Sequence, residues 1–268
     1  MFKRISRQQH PPMTSVEETS LRKSLGQRSS PHSKVCVLAS GGLDSCVLLG
    51  RMAQQFRETF PVYIRCGLRW ERAEIYWLRK YLKALSRLSP GTRKRTETIQ
   101  HAVLHPLTVL NLPVRDVYGS HWSLPEVHQK GTSPERKNLP RNRVPGRTSG
   151  DEQVYLPGRN LLLLSKAAVF CGRERIQTIA MGPLKGNPFP DATPRFFRSA
   201  EKALSLALNC PLSVLTPFLK LSKAEVLQVG KHLDLPLNLS FSCLAPVRDR
   251  RPCGKCNKCA EWERTMGY

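Results

Sequence analysis

Residues 34–55 constrain the fold more than any other stretch of the chain. The apolar run at residues 35–39 is rich in β-branched side chains, which predicts a buried parallel strand. The sequence SGGLDS follows at residues 40–45, and apolar residues then recur at helical spacing through Met52. The stretch therefore predicts a strand, a tight loop and a helix, as in an open α/β sheet.

The loop at residues 40–45 has the composition of an anion-binding site. Gly41 and Gly42 let the backbone turn sharply and approach a ligand closely, and the first N–H groups of the following helix lack intrahelical partners. Ser40 and Ser45 add hydroxyl donors, and Asp44 either caps the helix or faces a metal beside bound phosphates. The lysine of a Walker-type loop is missing. A phosphate-binding loop is the prediction, and a simple capped turn is the alternative.

Four of the nine cysteines lie near the end of the sequence, at Cys243, Cys253, Cys256 and Cys259. The last three are separated by two-residue spacers, and four thiolates complete a tetrahedral zinc shell with no open position. The first residues have no apolar core of a secretory signal, which favours a metal site over disulfides. We therefore expect structural Zn²⁺ in a cytoplasmic protein. Chance clustering of cysteines is the alternative.

Predicted strands and helices alternate after residue 34, which favours an α/β fold with a doubly wound parallel sheet. Residues 1–33 are polar and proline-rich, which predicts a disordered basic extension. The α/β domain is expected over 34–240, with a flexible insertion at about 111–154 that is either an active-site lid or a mere insertion. Residues 241–268 form the predicted small zinc-binding segment.

The hydrophobic pattern also predicts the individual elements of the domain. Beyond the first strand and helix we expect a strand at 60–64, a helix at 71–86, strands at 96–99 and 175–181, helices at 161–170 and 195–207, and a helix that a Ser222/Glu225 capping box opens and that ends at His232.

The SGGLDS loop resembles the signature of the PP-loop ATP pyrophosphatases. LPGRN at 156–160, NPFPD at 187–191, TPFLKLSKAE at 216–225 and CGKCNKC at 253–259 follow in an order similar to that of the 7-cyano-7-deazaguanine synthase family. The resemblance implies an adenine nucleotide alpha hydrolase-like fold. It also implies a ligase of queuosine biosynthesis that uses ATP and ammonia to convert 7-carboxy-7-deazaguanine, through adenylated intermediates, into the nitrile.

The resemblance carries roles over to matching positions. ATP phosphates, with Mg²⁺, would be bound by Ser40, Gly41, Gly42, Leu43, Asp44 and Ser45. Catalysis would involve Asp44, Ser45, Arg159 and Lys223, the substrate would contact Arg159, Asn160 and Asp191, and Zn²⁺ would be bound by the four clustered cysteines.

Elementary chemistry agrees with two of these assignments. An arginine fork suits a phosphate or carboxylate, as expected of Arg159. Lys223 lies in the first turn of a predicted helix, where the dipole disfavours a cation, so an anionic ligand is expected, with a solvated lysine as the alternative. The sequence departs from the family pattern at Trp70, where a histidine is usual, and at Phe189, where a tyrosine is usual. Both loops are expected near the substrate.

The formal net charge of +23 leaves the partners open. A nucleic-acid surface and a merely solvated basic surface are both compatible with it. The leading hypothesis has a small deazapurine acid, ATP and free ammonia as partners, with a possible homodimer and no membrane. The alternatives are a PP-loop enzyme acting on a related acid or a macromolecule such as tRNA or protein, and a non-enzymatic zinc module.

Overall fold

The computed structural model describes residues 34–88, 102–119, 121–125, 144–248 and 250–267. They contain a sheet of six strands in which every pairing is parallel: β1 Lys34–Leu38, β2 Glu58–Arg65, β3 Val103–Leu104, β4 Thr108–Asn111, β5 Thr178–Ala180 and β6 Ser213–Leu215. The strand order is β3-β2-β1-β5-β6, and β4 pairs with the later part of β2.

Helices cover both faces of this sheet: α1 Leu43–Gln55, α2 Glu71–Arg87, α3 Arg115–Tyr118, α4 Arg159–Glu174, α5 Pro194–Leu208, α6 Lys223–His232 and α7 Asn257–Met266. Strand β1 shows the division, because Val35 and Val37 pack with α1, α2 and α6 while Cys36 packs with α4 and α5 on the other face. The predicted doubly wound parallel sheet is confirmed. None of these helices is long and apolar enough to cross a membrane.

Most of the element predictions agree with the structure. The capping box is complete, since Ser222 Oγ accepts a hydrogen bond from Glu225 N at 3.3 Å and the Glu225 carboxylate accepts one from Ser222 N at 2.7 Å. The strand predicted at 175–181 is shorter than expected, because Arg175 adopts φ 55° to end α4 and β5 begins only at Thr178. The predicted strand at 96–99 and the extension at 1–33 lie outside the described residues.

The insertion predicted at about 111–154 begins where strand β4 ends. Asn111 belongs to β4 and pairs with Arg65 of β2, so the sheet continues to this residue. Trp122 is buried, stacks at a tilt on Trp70 with 5.7 Å between ring centroids, and donates to Gln153 O at 3.0 Å. Tertiary packing of one tryptophan thus orders a segment whose prolines and low periodicity suggested a loop. Residues 126–143 lie outside the described residues.

The strand order creates a cleft at the carboxyl edge of the sheet. Strands β1 and β5 are neighbours in the sheet. After β1 the chain continues to β2 on one side, and after β5 it continues to β6 on the other side, so the loops that follow β1 and β5 diverge. Helix α6 packs closely on α1 at Gly230. A Cβ atom at this position would lie only 2.8 Å from Val47 Cγ2, so the close packing requires glycine. This close approach places Lys223, the first residue of α6, beside the start of α1.

Candidate active site and cysteine cluster

The SGGLDS loop is held in a fixed shape by its own side chains. Gly41 adopts φ +83° and donates its N–H to Ser45 Oγ at 3.0 Å, and Gly42 donates to Ser40 Oγ at 3.3 Å. A Cβ at Gly41 would lie 3.1 Å from the carbonyl oxygen of Glu74, so both the conformation and the space require glycine. The serine hydroxyls therefore shape the loop in addition to any contact with a ligand.

The donors left at this loop are those of the helix start. The first intrahelical hydrogen bond of α1 runs from Cys46 N to Gly42 O at 3.0 Å. The N–H groups of Leu43, Asp44 and Ser45 precede it and lie at the positive end of the helix dipole. An anion at the end of β1 would meet these groups directly, as the sequence predicts.

A cavity of about 300 Å³ opens between this loop, β2 and the segment that follows β5. Its lining includes most of the predicted site residues: Ser40, Gly42, Asp44, Ser45, Arg159, Asn160 and Asp191. Apolar side chains such as Val62, Leu156 and Met181 form much of the remaining wall. The predicted residues Gly41, Leu43 and Lys223 do not line the cavity. Gly41 and Leu43 instead support the loop, and Lys223 contacts Asp44.

Asp44 and Lys223 form an ion pair at the edge of the cavity. Lys223 Nζ lies 2.8 Å from Asp44 Oδ2, and burial raises the pKa of Asp44 while the charge of Lys223 opposes that rise. Asp44 Oδ1 is buried and accepts no hydrogen bond from the described residues. The anionic group beside Lys223 is thus a carboxylate of the protein itself rather than the expected ligand, and one oxygen of that carboxylate remains for another cation.

The ion pair continues into the C-terminal helix, which the sequence analysis did not anticipate. Lys223 Nζ lies 3.3 Å from Glu261 Oε1, and Glu261 Oε2 lies 2.8 Å from Lys258 Nζ, which in turn contacts Asp151 at 2.8 Å. Burial would raise the pKa of Glu261, but the two lysines lower it overall. Glu261 on α7 is therefore ionised and belongs to the group of ion pairs beside the SGGLDS loop.

Asn160 and Asp191 bind each other at the start of α4. Asp191 Oδ2 accepts from the backbone N–H of Asn160 at 2.7 Å, and Asn160 Nδ2 donates to the Asp191 carbonyl at 3.0 Å. Asp191 is only 8% exposed, and it both holds Asn160 in place and forms part of the cavity wall. The neighbouring Arg159 Nε is buried without a partner among the described residues. The unpartnered Nε atom of Arg159, which lines the cavity, is therefore suited to an anionic ligand.

Sequence reasoning missed two residues of the cavity wall, Tyr63 and Glu74. The Tyr63 hydroxyl donates to Glu74 Oε2 at 2.6 Å. Burial raises the pKa of Glu74 to about 8, although this hydrogen bond and the charge of Arg159 oppose the rise. A glutamate beside the apolar face of α2, four residues before the buried Leu78, is the signal that could have identified it.

The four clustered cysteines form a compact sulfur site in the C-terminal segment. Their Sγ atoms all lie within 4.8 Å of one another, and two of the separations are 3.9 Å and 3.5 Å. A tetrahedral Zn²⁺ site with metal–sulfur distances of about 2.3 Å needs sulfurs about 3.8 Å apart. Backbone N–H groups of Leu244 and Cys253 point at these sulfurs. The donor set and spacing fit a metal ion.

Comparison with known proteins identifies the family. The profile of the queuosine biosynthesis protein QueC matches residues 34–268. This chain belongs to the QueC family. It is similar to the 7-cyano-7-deazaguanine synthase of Aquifex aeolicus (strain VF5), with 27% identity covering 88% of this chain and 97% of that one. The 7-cyano-7-deazaguanine synthase of Leptospira biflexa is 36% identical, covering 41% of this chain and 50% of that one.

These QueC relatives are named as synthases, so the chain belongs to a family of ligase-type enzymes. The alternative hypothesis of a non-enzymatic zinc module is therefore wrong. Among solved structures, a 4-thiouridine synthetase–RNA complex with bound ATP is similar at 15% identity, with a TM-score of 0.43, covering 88% of this chain and 50% of that one.

One of the two loops that depart from the QueC family pattern lies at the cavity. Phe189 lines the cavity and stacks on Tyr155 with 4.8 Å between ring centroids. Trp70 is 6% exposed, packs against Trp122 and does not line the cavity. Tertiary packing therefore places the Trp70 side chain in the core, away from the cavity that Phe189 lines.

Replacing Glu74 with glutamine is expected to change how stability depends on pH. The raised pKa means that the folded state holds a proton up to about pH 8, which the unfolded state releases near pH 4.5. The free energy of unfolding should therefore fall as the pH rises between these values, by up to about 5 kcal/mol from this group alone. Denaturant titrations at several pH values test this, with Glu152→Gln at an exposed position as the control. Parallel pH profiles for the wild type and Glu74→Gln would contradict it.

Proposed function

We propose that this enzyme converts 7-carboxy-7-deazaguanine and ammonia into 7-cyano-7-deazaguanine at the expense of ATP. The observation that carries the proposal is the SGGLDS loop, whose helix N-terminus and Asp44 face a cavity that also contains Arg159. The names of the QueC relatives support the choice of substrate and product. The mostly apolar cavity of about 300 Å³ suits a flat heterocycle better than a polymer.

The N-terminus of α1 would bind the ATP phosphates through the N–H groups of Leu43, Asp44 and Ser45. Asp44 Oδ1 is suited to Mg²⁺, which is commonly held by one carboxylate together with substrate phosphates. The bound ion would supply charge neutralisation for the phosphates. Lys223, fixed by Asp44 and Glu261, would add a second positive charge at the same edge of the site.

Two activations balance the reaction. The substrate carboxylate attacks the α-phosphorus of ATP and releases pyrophosphate, and ammonia then displaces AMP to leave an amide and a proton. The amide oxygen attacks a second ATP, pyrophosphate leaves again, and loss of AMP with a proton forms the nitrile. Because burial raises the pKa of Glu74 to about 8, this side chain is largely protonated near neutral pH and is suited to donate a hydrogen bond to a substrate oxygen, while the released protons pass to solvent. Arg159 would hold the carboxylate in line.

Recognition of the heterocycle is assigned to the far wall of the cavity. Asn160 and Asp191 would contact the deazaguanine edge with the hydrogen-bonding capacity that their mutual contacts leave, chiefly Asp191 Oδ1, which is 3.4 Å from Asn160 Nδ2. The ring of Phe189 supplies an apolar surface for the heterocycle beside them. The proposed acid substrate therefore needs no contact with Trp70.

The four cysteines would bind structural Zn²⁺, because the full sulfur shell leaves no position for a reacting group. On this assignment residues 34–240 form the ATP-binding domain and 241–268 the zinc-binding segment. The homodimer, the cytoplasmic location and the disordered extension at 1–33 stay predictions.

Mass spectrometry tests the proposal in a reaction of purified protein, ATP, ammonium and 7-carboxy-7-deazaguanine. The expected result is the nitrile together with two AMP per nitrile. Omission of ammonium should leave pyrophosphate release without nitrile, because no amine displaces AMP from the adenylated acid. AMP formation with no nitrile under complete conditions would move the acceptor to a related acid or a macromolecule. No ATP turnover by a folded, metal-loaded protein would overturn the proposal.

A further inference from the structure

A second groove, of about 640 Å³, lies beside α2 and shares no lining residue with the active-site cavity. Its lining is dominated by cations: Arg65, Arg72, Arg79, Lys80, Lys83, Arg248 and Arg250, with Ile75 and Tyr76. All seven cationic residues are exposed. Among the described residues no aspartate or glutamate lines the groove. We call this surface the basic groove.

Helix α2 has different chemistry on its two sides. Glu74 lines the active-site cavity, and Leu78 is buried next to Gly41. Arg79 and Lys83, one turn apart, extend from the other side of the helix into the basic groove. The concentration of positive charge is thus confined to the side of α2 that faces away from the proposed ATP site.

The opposite wall of the basic groove comes from the segment between the clustered cysteines. A turn closed by pairing of Val247 with Arg251 carries Arg248 and Arg250. It is fixed to α2 because Trp77 Nε1 donates to the Arg250 carbonyl at 2.8 Å. The Arg250 guanidinium lies 4.4 Å from the centre of the Tyr76 ring. The groove is therefore built jointly by α2 and the cysteine-bearing segment.

We propose that the basic groove binds a nucleic acid strand through its phosphates. A row of exposed cations, with no aspartate or glutamate among the described lining residues, matches a polyanion, whose binding releases condensed counterions. Asp249, which lies between Arg248 and Arg250 in the sequence, is outside the described residues. The guanidinium of Arg250, layered on Tyr76, offers a plane on which an unstacked base can rest. The proposal goes beyond the ligase reaction and does not rest on it.

The lining argues against two other polyanionic partners. A membrane surface is bound by cations together with exposed large apolar side chains, whereas the apolar Ile75 of this groove is 5% exposed. An acidic peptide would need apolar pockets for its anchors, and the lining offers only this one aliphatic residue. A nucleic acid, which presents phosphates and flat bases, fits the available groups better.

Fluorescence anisotropy with a labelled 20-nucleotide RNA of mixed sequence tests the proposal, with no ATP or deazapurine present. If five to seven phosphates are neutralised, the slope of log Kobs against log salt is expected to be about −4 to −5. The variant Arg79→Glu/Lys83→Glu should bind at least about 10-fold more weakly at 100 mM salt, with a slope shallower by about 1 to 2. Because the assay contains no ligase substrates, its failure and the failure of the ligase proposal are distinguishable.

The matched control is Arg198→Glu/Lys202→Glu on α5, which has the same helical spacing, exposure and change of net charge. It should bind RNA within about 2-fold of the wild type. Equal weakening of RNA binding by both double variants would overturn the proposal that the groove is the binding site, because it would show that RNA is attracted by the overall charge of the protein. Tighter binding to vesicles of phosphatidylserine and phosphatidylcholine than to RNA would overturn the choice of partner. If the glutamate variant fails to fold, Arg79→Gln/Lys83→Gln is compared with Arg198→Gln/Lys202→Gln, with the same expected ranking.

Discussion

Replacement of Lys223 by methionine is expected to lower the rate of ATP-dependent turnover by about 10²–10³-fold. The methionine keeps much of the length and apolar stem but removes the charge that lies 2.8 Å from Asp44 Oδ2 and 3.3 Å from Glu261 Oε1. The substitution therefore leaves the carboxylates of Asp44 and Glu261, near the SGGLDS loop, without the cation that they share. Phosphate oxygens would then meet uncompensated negative charge. Pyrophosphate release at saturating ATP measures the effect.

Lys258→Met is the matched control for this prediction. Lys258 contacts the same Glu261 at 2.8 Å and Asp151 at 2.8 Å, but forms no ion pair with Asp44. The two lysines are similarly exposed, at 24% and 25%. A thermal melt of each variant separates loss of stability from loss of catalysis. Equal loss of turnover in both variants would show that the cluster acts only by holding α7 in place.

Removal of the metal is expected to melt the C-terminal segment and lower the melting temperature by about 10 °C or more. Without an ion, the four sulfurs no longer bind the segment before Cys243 to the turn and helix that follow Cys253. Helix α7, only ten residues long, is too short to persist alone. Differential scanning fluorimetry with and without a strong chelator, followed by addition of Zn²⁺, measures the effect.

Two further measurements sharpen the metal prediction. Elemental analysis of the purified protein should find one zinc per chain. Cys256→Ser should reproduce the effect of the chelator, whereas Cys210→Ser, outside the cluster and half-buried, should melt like the wild type. Turnover should be lost together with the metal, because Glu261 lies on α7. A melting curve unchanged by the chelator would contradict the prediction.

Local patterns were sufficient to predict the elements whose causes are local. The strand, loop and helix at residues 34–55 follow from periodicity and glycine placement, and the capping box at Ser222 follows from a three-residue spacing. The cysteine cluster also follows from short spacers, with one more cysteine ten residues earlier. In each case the residues that decide the structure are close together in the sequence.

The contacts that complete the candidate site are long-range, and no local pattern specifies them. The unfavourable position of Lys223 indicated an anion, but not that Asp44 and Glu261 would supply it. The resemblance implies that Asn160 and Asp191 contact the substrate, but it does not indicate that these residues, 31 positions apart, bind each other. Trp70 is buried because it packs against Trp122, which lies in the predicted insertion. Such pairings are fixed by tertiary packing, which periodicity does not encode.

The ion cluster around Lys223 also bears on how the protein is made. Lys223 follows Asp44 by 179 positions, and Glu261 follows later still. At a translation rate of about 5–20 residues per second, the loop leaves the ribosome about 10 to 40 s before its cation does. During that time the nascent chain can form β1 and α1, but Asp44 has no lysine partner. On the proposed function, the ATP site would therefore be complete only after α7 has been synthesised and folds onto the domain.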